Sequence, residues 1–268
     1  MTYLLLALTG AFAGTLGGLF GIGGGIVIVP VLFAILTGAS GDPEVAAKTA
    51  VATSLATIIV TSLRSLWAHH KRGAVDFDVL KIWVPFIALG AVAGAGLTRI
   101  IDGQVLVVFF GLSALGMGIQ RLLKKDKGGK PKKTFTFSPT SQRGFAVLTG
   151  VISSLLGIGG GVMGVLLLTL SGRPIHQAVG TASGFGMAIA IPGAITLFLL
   201  GLSDEALPGA VSYLHVPGFI AIALGTLMFV PLGAHLAHRA SQRHLSIAFG
   251  LFLLAMSANL LREAAVSF

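Results

Sequence analysis

The pentapeptide Gly21-Ile22-Gly23-Gly24-Gly25 sits inside an uncharged apolar run and recurs, 136 residues later, as Gly157-Ile158-Gly159-Gly160-Gly161. The flanks match as well: Leu19-Phe20 and Ile26-Val27 correspond to Leu155-Leu156 and Val162-Met163, and Gly14 corresponds to Gly150. The chain therefore carries an internal duplication. A glycine in a helix interior costs about 1 kcal/mol against alanine, so four in five residues mark a place where the helix is expected to break. Residues 2 to 38 hold no charge, and as one straight helix they would be about 54 Å long against a hydrocarbon core of about 30 Å. Such a run must break, tilt steeply or double back. Two structural readings stand side by side. Small residues let membrane helices pack closely, which suits the scattered Gly10, Gly14 and Gly18. A cluster suits a discontinuous helix, whose exposed N–H groups and positive dipole end face a ligand at mid-membrane. Neither copy has the Gly-Lys-Ser/Thr ending or the GxGxxG spacing of a nucleotide-binding loop.

Composition sets the class. The 268 residues are 54% hydrophobic and only 10% charged, and the mean hydropathy is +0.94, far from a soluble globular domain. The chain reads as an all-α polytopic membrane protein. Its first 20 residues lack a basic start and a small-residue cleavage site, so they are expected to belong to the first span. There is no cysteine, which excludes disulfides, thiolate metal sites and thiol catalysis. The net charge of +9 lies mostly in connecting loops, where it orients the chain in a membrane and does not point to nucleic acid.

Taken in order, the broken run is followed by a polar loop with Asp42 and Glu44, then by spans at 49–68, 79–98 and from Gln104 to Gly118. Lysines and arginines crowd the stretch 121–143, with Asp126 as its one acid. The expected domains are a first membrane repeat, 1–123, a basic cytoplasmic linker, 124–142, and a second repeat, 143–268. The second repeat has a broken run from Gly144 to Ser171, then spans at 177–200, 213–236 and 245–261. If the loops near 71, 124–133 and 239–243 are cytoplasmic, the acidic loops at 42–44 and 204–205 fall outside. The second broken run then begins and ends inside, so it is a hairpin. By analogy the first is a hairpin with both ends outside. The expected fold is two inverted repeats, each a glycine-broken helical hairpin followed by three transmembrane helices, with both termini opposite the linker.

The nine carboxylates all fall in loops or at span ends, so neither a buried acid pair nor a proton relay is visible. No enzyme activity, cofactor or metal is expected. His69 and His70 read as interfacial; His235 and His238 share a helix face, either as a solvated end or as a proton or metal sensor. Thr53-Ser54 and Thr181-Ala182-Ser183 each open the span after a break. Their hydroxyls either bond their own helix carbonyls or face the glycine tips as donors. In the second case Gly21, Gly23, Gly24, Gly25, Thr53, Ser54, Gly157, Gly159, Gly160, Gly161, Thr181 and Ser183 form a site for an anion without a fixed buried charge. Lys48, Arg64, Arg173 and His176 would add positive potential at the mouths.

The duplicated GxGGG, the Thr-Ser or Thr-x-Ser motif after it, the element His69 to Val75 and the basic central linker resemble the TauE/SafE family of sulfite exporters over nearly the whole chain. The resemblance implies transport of small sulfur-containing anions, such as sulfite, thiosulfate or sulfoacetate, across the bacterial cytoplasmic (inner) membrane. The expected partners are that anion and the lipid bilayer, with a homodimer as the assembly left open. A carrier of another small anion or metal-related solute, and a scaffold or channel whose glycines serve packing alone, are the competing readings.

Overall fold

Asp42 and Pro43 start the longest helix among the described residues. The Asp42 carboxylate accepts the N–H groups of Glu44 (2.9 Å) and Val45 (3.2 Å), and Pro43 takes a first-turn position where no N–H is needed. The computed structural model describes residues 2–21, 23–40, 42–123, 138–236 and, further on, 247, 250, 251, 253–255, 257, 258, 260–262 and 265. Its elements are α1 (Thr2–Phe20), α2 (Gly25–Ser40), α3 (Pro43–His70), α4 (Phe77–Leu97), α5 (Gly103–Leu123), α6 (Pro139–Leu155), α7 (Gly161–Leu170), α8 (Ile175–Leu200) and α9 (Val216–Leu236). A two-residue hairpin, β1 (Ala210–Val211) with β2 (Leu214–His215), precedes α9 and pairs Ala210 with His215. Helix α6 begins at Pro139, inside the stretch expected as linker, because Ser138 caps it by accepting the Ser141 N–H. The rest of that linker, 124–137, lies outside the described residues, as do His238, Arg239, Arg243 and His244.

Both glycine clusters interrupt a helix. After α6, Gly157 turns left-handed (φ +56°). The N–H of Gly157 then bonds the Ser154 carbonyl and that of Ile158 the Ser153 carbonyl, the pair of bonds that closes a glycine-ended helix. After α1, Gly21, Gly23 and Gly24 adopt φ of +67°, +72° and +79°. The chain then turns back as α2 and α7.

Packing follows a crossed pattern. Gly10, Gly14 and Gly18 of α1 meet Ile222, Thr226 and Val230 of α9 in ascending order, so these two helices run parallel. Gly90 and Gly94 of α4 meet Val147 and Val151 of α6 in the same way. A Cβ at Gly18 would lie 2.1 Å from the Val230 carbonyl oxygen, so the packing role of the scattered glycines is real. Helices α3 and α8 lie antiparallel at the centre: Thr53 is beside His215 at one face, and His69 is beside Gly180 at the other. Hairpin α1–α2 begins and ends at the β-hairpin face, and hairpin α6–α7 begins and ends at the opposite face. The described residues of the C-terminal helical segment pack along α5, with the Ser257 hydroxyl donating to the Gly111 carbonyl.

Among the described residues, four helices are long and apolar enough to cross a membrane: Pro43–His70, Phe77–Leu97, His176–Ser203 and Val216–Leu236. Helices at Leu4–Phe20, Gly25–Ala39 and Val107–Gln120 are apolar but shorter. A wide belt of exposed apolar side chains, including Leu89, Leu199 and Met228, leaves them suited to lipid.

Candidate functional site at the two helix breaks

The two breaks touch beside the middle turns of α3. A Cβ at Gly25 would lie 2.3 Å from the Gly157 carbonyl oxygen, and one at Gly23 would lie 3.5 Å from the Cα of Gly159. Each break also rests on the helix that follows the other: Gly21 against Val179 of α8, Gly157 against Val51 of α3. Ser54 donates its hydroxyl to the Gly157 carbonyl at 2.7 Å. Gly24 is pressed on Ala13 of α1, whereas Gly160 keeps an ordinary φ of −61° and meets only the tip of Ile189 closely. Gly159 and Gly161 are buried beside it.

The hydroxyl oxygens of the two threonines expected at the tips accept hydrogen bonds from backbone N–H groups. Thr53 Oγ1 accepts the N–H of His215, and Thr181 Oγ1 accepts the N–H of Asp76, each at 2.9 Å. The two bonds are counterparts: in each, a residue just ahead of one half's helix (α9 or α4) is held by the threonine of the other half. Ser183 bonds its own helix through the Val179 carbonyl (3.1 Å) and lies 2.9 Å from Ser65 Oγ. Ser183 also borders Gly21.

Helix α3 carries more hydroxyls inward than the two expected. Thr49, Thr53, Thr57 and Thr61 recur every four residues and are fully buried, with Ser62 and Ser65 beside them. Thr57 and Thr61 return their hydroxyls to the carbonyls of Thr53 and Thr57. That four-residue spacing is visible in the sequence and is the signal that marks this face.

Two of the four cations expected at the mouths are paired with carboxylates. Lys48 is buried, 6% exposed, with Nζ 2.6 Å from Glu44. Arg173 pairs with Asp76, Nη2 to Oδ2 2.9 Å. Both charges are therefore largely neutralised by a carboxylate. Arg64 lies over the Trp67 ring, 4.9 Å from its centroid, and His176 is exposed. His69, expected at the interface, is buried against Gly180, while His70 stays exposed and meets Phe77 edge-on. Arg72 donates to the Ala234 carbonyl at the end of α9, 2.7 Å.

Burial pushes the Asp76 carboxyl up, but the Val79 N–H and the Arg173 guanidinium outweigh it and hold the group below the usual carboxylate range. At the other face, the Tyr213 hydroxyl donates to Asp204 and lowers that carboxyl, with burial opposing; burial and Asp204 together raise the tyrosine. Among the described residues, no three His, Asp or Glu side chains are grouped as metal ligands. An apolar crevice lined by Ile26, Pro30, Phe110, Leu156 and Ile158 runs from the breaks towards α5.

The family model for the sulfite exporter TauE/SafE matches residues 6–260. The chain belongs to the TauE/SafE family. A probable membrane transporter protein of Haemophilus influenzae is 32% identical to it over 97% of this chain and 98% of its own length. Probable membrane transporter proteins of Bacillus subtilis (YunE) and Methanocaldococcus jannaschii are each 28% identical, over 100% and 93% of this chain and 100% and 94% of their own. No solved structure matches it. With its apolar helices, this TauE/SafE member is a multi-pass membrane transporter protein.

Proposed function

We propose that the protein is a secondary transporter, an exporter, of small sulfur-containing anions such as sulfite, thiosulfate or sulfoacetate, working in a bacterial cytoplasmic membrane. The anion is held where the two glycine breaks meet. The observation that carries this reading is the contact of Gly23 and Gly25 with Gly159 and Gly157. It gathers two helix starts, those of α2 and α7, at one place, and helix starts offer free N–H groups and positive dipole ends to an anion. Left-handed glycines there leave the backbone bare, so an oxyanion can approach it. Thr53 and Thr181 complete the shell through the hydroxyl proton that each retains, with Ser54 and Ser183 next to the breaks.

The architecture that goes with this reading is a pair of inverted repeats, 1–123 and 143–268, with the basic linker between them. The parallel pairs α1/α9 and α4/α6, the antiparallel centre α3/α8 and the reciprocal bonds of Thr53 and Thr181 favour it. A packing role explains Gly10, Gly14 and Gly18, but it does not call for left-handed backbone at Gly21, Gly23 and Gly24.

Ligand-dependent heat stability of the purified protein tests the proposal, since a ligand that binds the folded state raises its apparent stability. Sulfite, thiosulfate and sulfoacetate are expected to stabilise it, and simple carboxylates are not. Equal stabilisation by all anions, or by none, would sink the sulfur-anion reading.

A further inference from the structure

The two breaks differ at one matched position. Three residues before the first left-handed glycine stands Gly18 in the first half and Ser154 in the second, at the 136-residue offset of the duplication. Gly18 is shut against the Val230 carbonyl of α9. Ser154 is fully buried, and its hydroxyl has no hydrogen-bond partner among the described residues. Its neighbours in kind behave otherwise: Thr149, Thr169 and Ser171 return their hydroxyls to carbonyls of their own helices at 2.7 to 2.8 Å. A buried hydroxyl with no partner carries a desolvation cost that nothing in the fold offsets.

Helix α8 lies against both that hydroxyl and the start of α7, one turn apart. Phe185, Ile189 and Gly193 lie four residues apart on one face of α8. A Cβ at Gly160 would meet Ile189 Cδ1 at 2.4 Å and Phe185 Cβ at 3.4 Å, and one turn further on a Cβ at Gly193 would lie 2.8 Å from Ser154 Oγ. Gly160 caps α7 with no side chain, so the N–H groups of its first turn have no side-chain acceptor. The closest atom over Gly160 is the flexible tip of Ile189, with Phe185 and Thr149 at ordinary contact distance.

Resting on the function proposed above, we infer that, where the two breaks meet, the second supplies the selective contact: the Ser154 hydroxyl and the uncapped first turn of α7 bond the anion. Gly193, having no side chain, leaves the buried Ser154 hydroxyl uncrowded, and Ser154 selects for a small oxyanion with several oxygens on one centre. Duplication supplied two breaks; the Ser154/Gly18 difference gives a hydroxyl to only one of them.

The test is ligand-dependent heat stability of the full-length protein in detergent, titrated with sulfite, thiosulfate and a sulfate control, for wild type, S154A and G193A. Alanine removes only an unpartnered hydroxyl, so S154A should fold and melt, without ligand, at or above the wild-type temperature. Its apparent Kd for the stabilising sulfur anion should rise at least tenfold. G193A should weaken binding in the same direction, because its methyl group crowds Ser154. A wild-type response with an unchanged Kd in S154A overturns the Ser154 assignment and leaves the transport reading standing. Absence of any response in wild type ends both. Failure of S154A to fold, or a lower melting temperature without ligand, would give Ser154 a structural role and overturn the inference.

Discussion

Asp76 and Arg173, 97 residues apart in sequence, form an ion pair across the loops that precede α4 and α8, with Nη2 and Nε at 2.9 and 3.0 Å from Oδ2. The same aspartate caps α4 through the Val79 N–H and gives its own N–H to Thr181. One residue thus ties the loop after α3 to the start of α8.

Variants separate these roles. The pair is partly exposed, so R173Q and D76N should each cost about 1 kcal/mol of stability, since asparagine retains a capping oxygen. D76A loses cap and pair together and should cost about 2 kcal/mol. The carboxyl is held below its ordinary value, so its contribution is complete above the unfolded value of about 3.9 and is lost as pH falls through the folded one. Melts compared from pH 7 downwards should show the wild-type advantage over D76N vanishing below about pH 4.

His215 sets a second pH dependence at the opposite face. Burial pushes its imidazole below the usual value, and Nδ1 accepts the Gly218 N–H at 3.1 Å, which requires the unprotonated ring. A lowered histidine stabilises the fold above its unfolded value of about 6.5, and that contribution is lost as pH falls towards the folded value. Between pH 6.5 and 5, wild type should lose stability relative to H215N, which keeps an acceptor and does not titrate. Parallel pH curves for the two proteins would refute this.

The break glycines divide into those the backbone needs and those it does not. Gly24 is left-handed, and a Cβ there would stand 2.8 Å from the Ala13 carbonyl oxygen, so G24V should not yield a folded protein. Gly160 has ordinary backbone and one close neighbour that is a side-chain tip. G160A should therefore purify, lose no more than about 1–3 kcal/mol to crowding, and bind sulfur anions poorly. Gly116, exposed on α5 with open space around it, should tolerate alanine with a gain of up to about 1 kcal/mol. Size-exclusion profiles and melting curves check all three.

Orientation follows from the basic face. Lys71, Arg72, Arg143 and Arg173 sit at the face where α6 begins, and Asp42, Glu44, Asp204 and Glu205 at the β-hairpin face. Positive loops stay in the cytoplasm. Single cysteines at Lys71 and Ser141 in this cysteine-free chain should resist an impermeant reagent added to intact cells, while one at Asp204 reacts. The reverse pattern inverts the topology.

Class and punctuation were legible in the chain itself. Runs too apolar for water and too long for one span, with glycines too dense for a helix, dictate a broken membrane helix wherever they occur, because these costs are local. A hairpin was expected at the second break from loop charge and at the first by analogy with it. Which way each side chain points was not. A helix in lipid is apolar on nearly every side, so the 3.6-residue period that reveals a buried face in a soluble protein is muted. Hence Lys48 and Arg173, which read as free cations, are neutralised by Glu44 and Asp76, and Thr53 and Thr181 hold loops from the other half. Ser154 gives no local sign at all. Its hydroxyl stands out only because α8 brings Gly193 against it, and that meeting of residues distant in the chain exists only once the helices have packed.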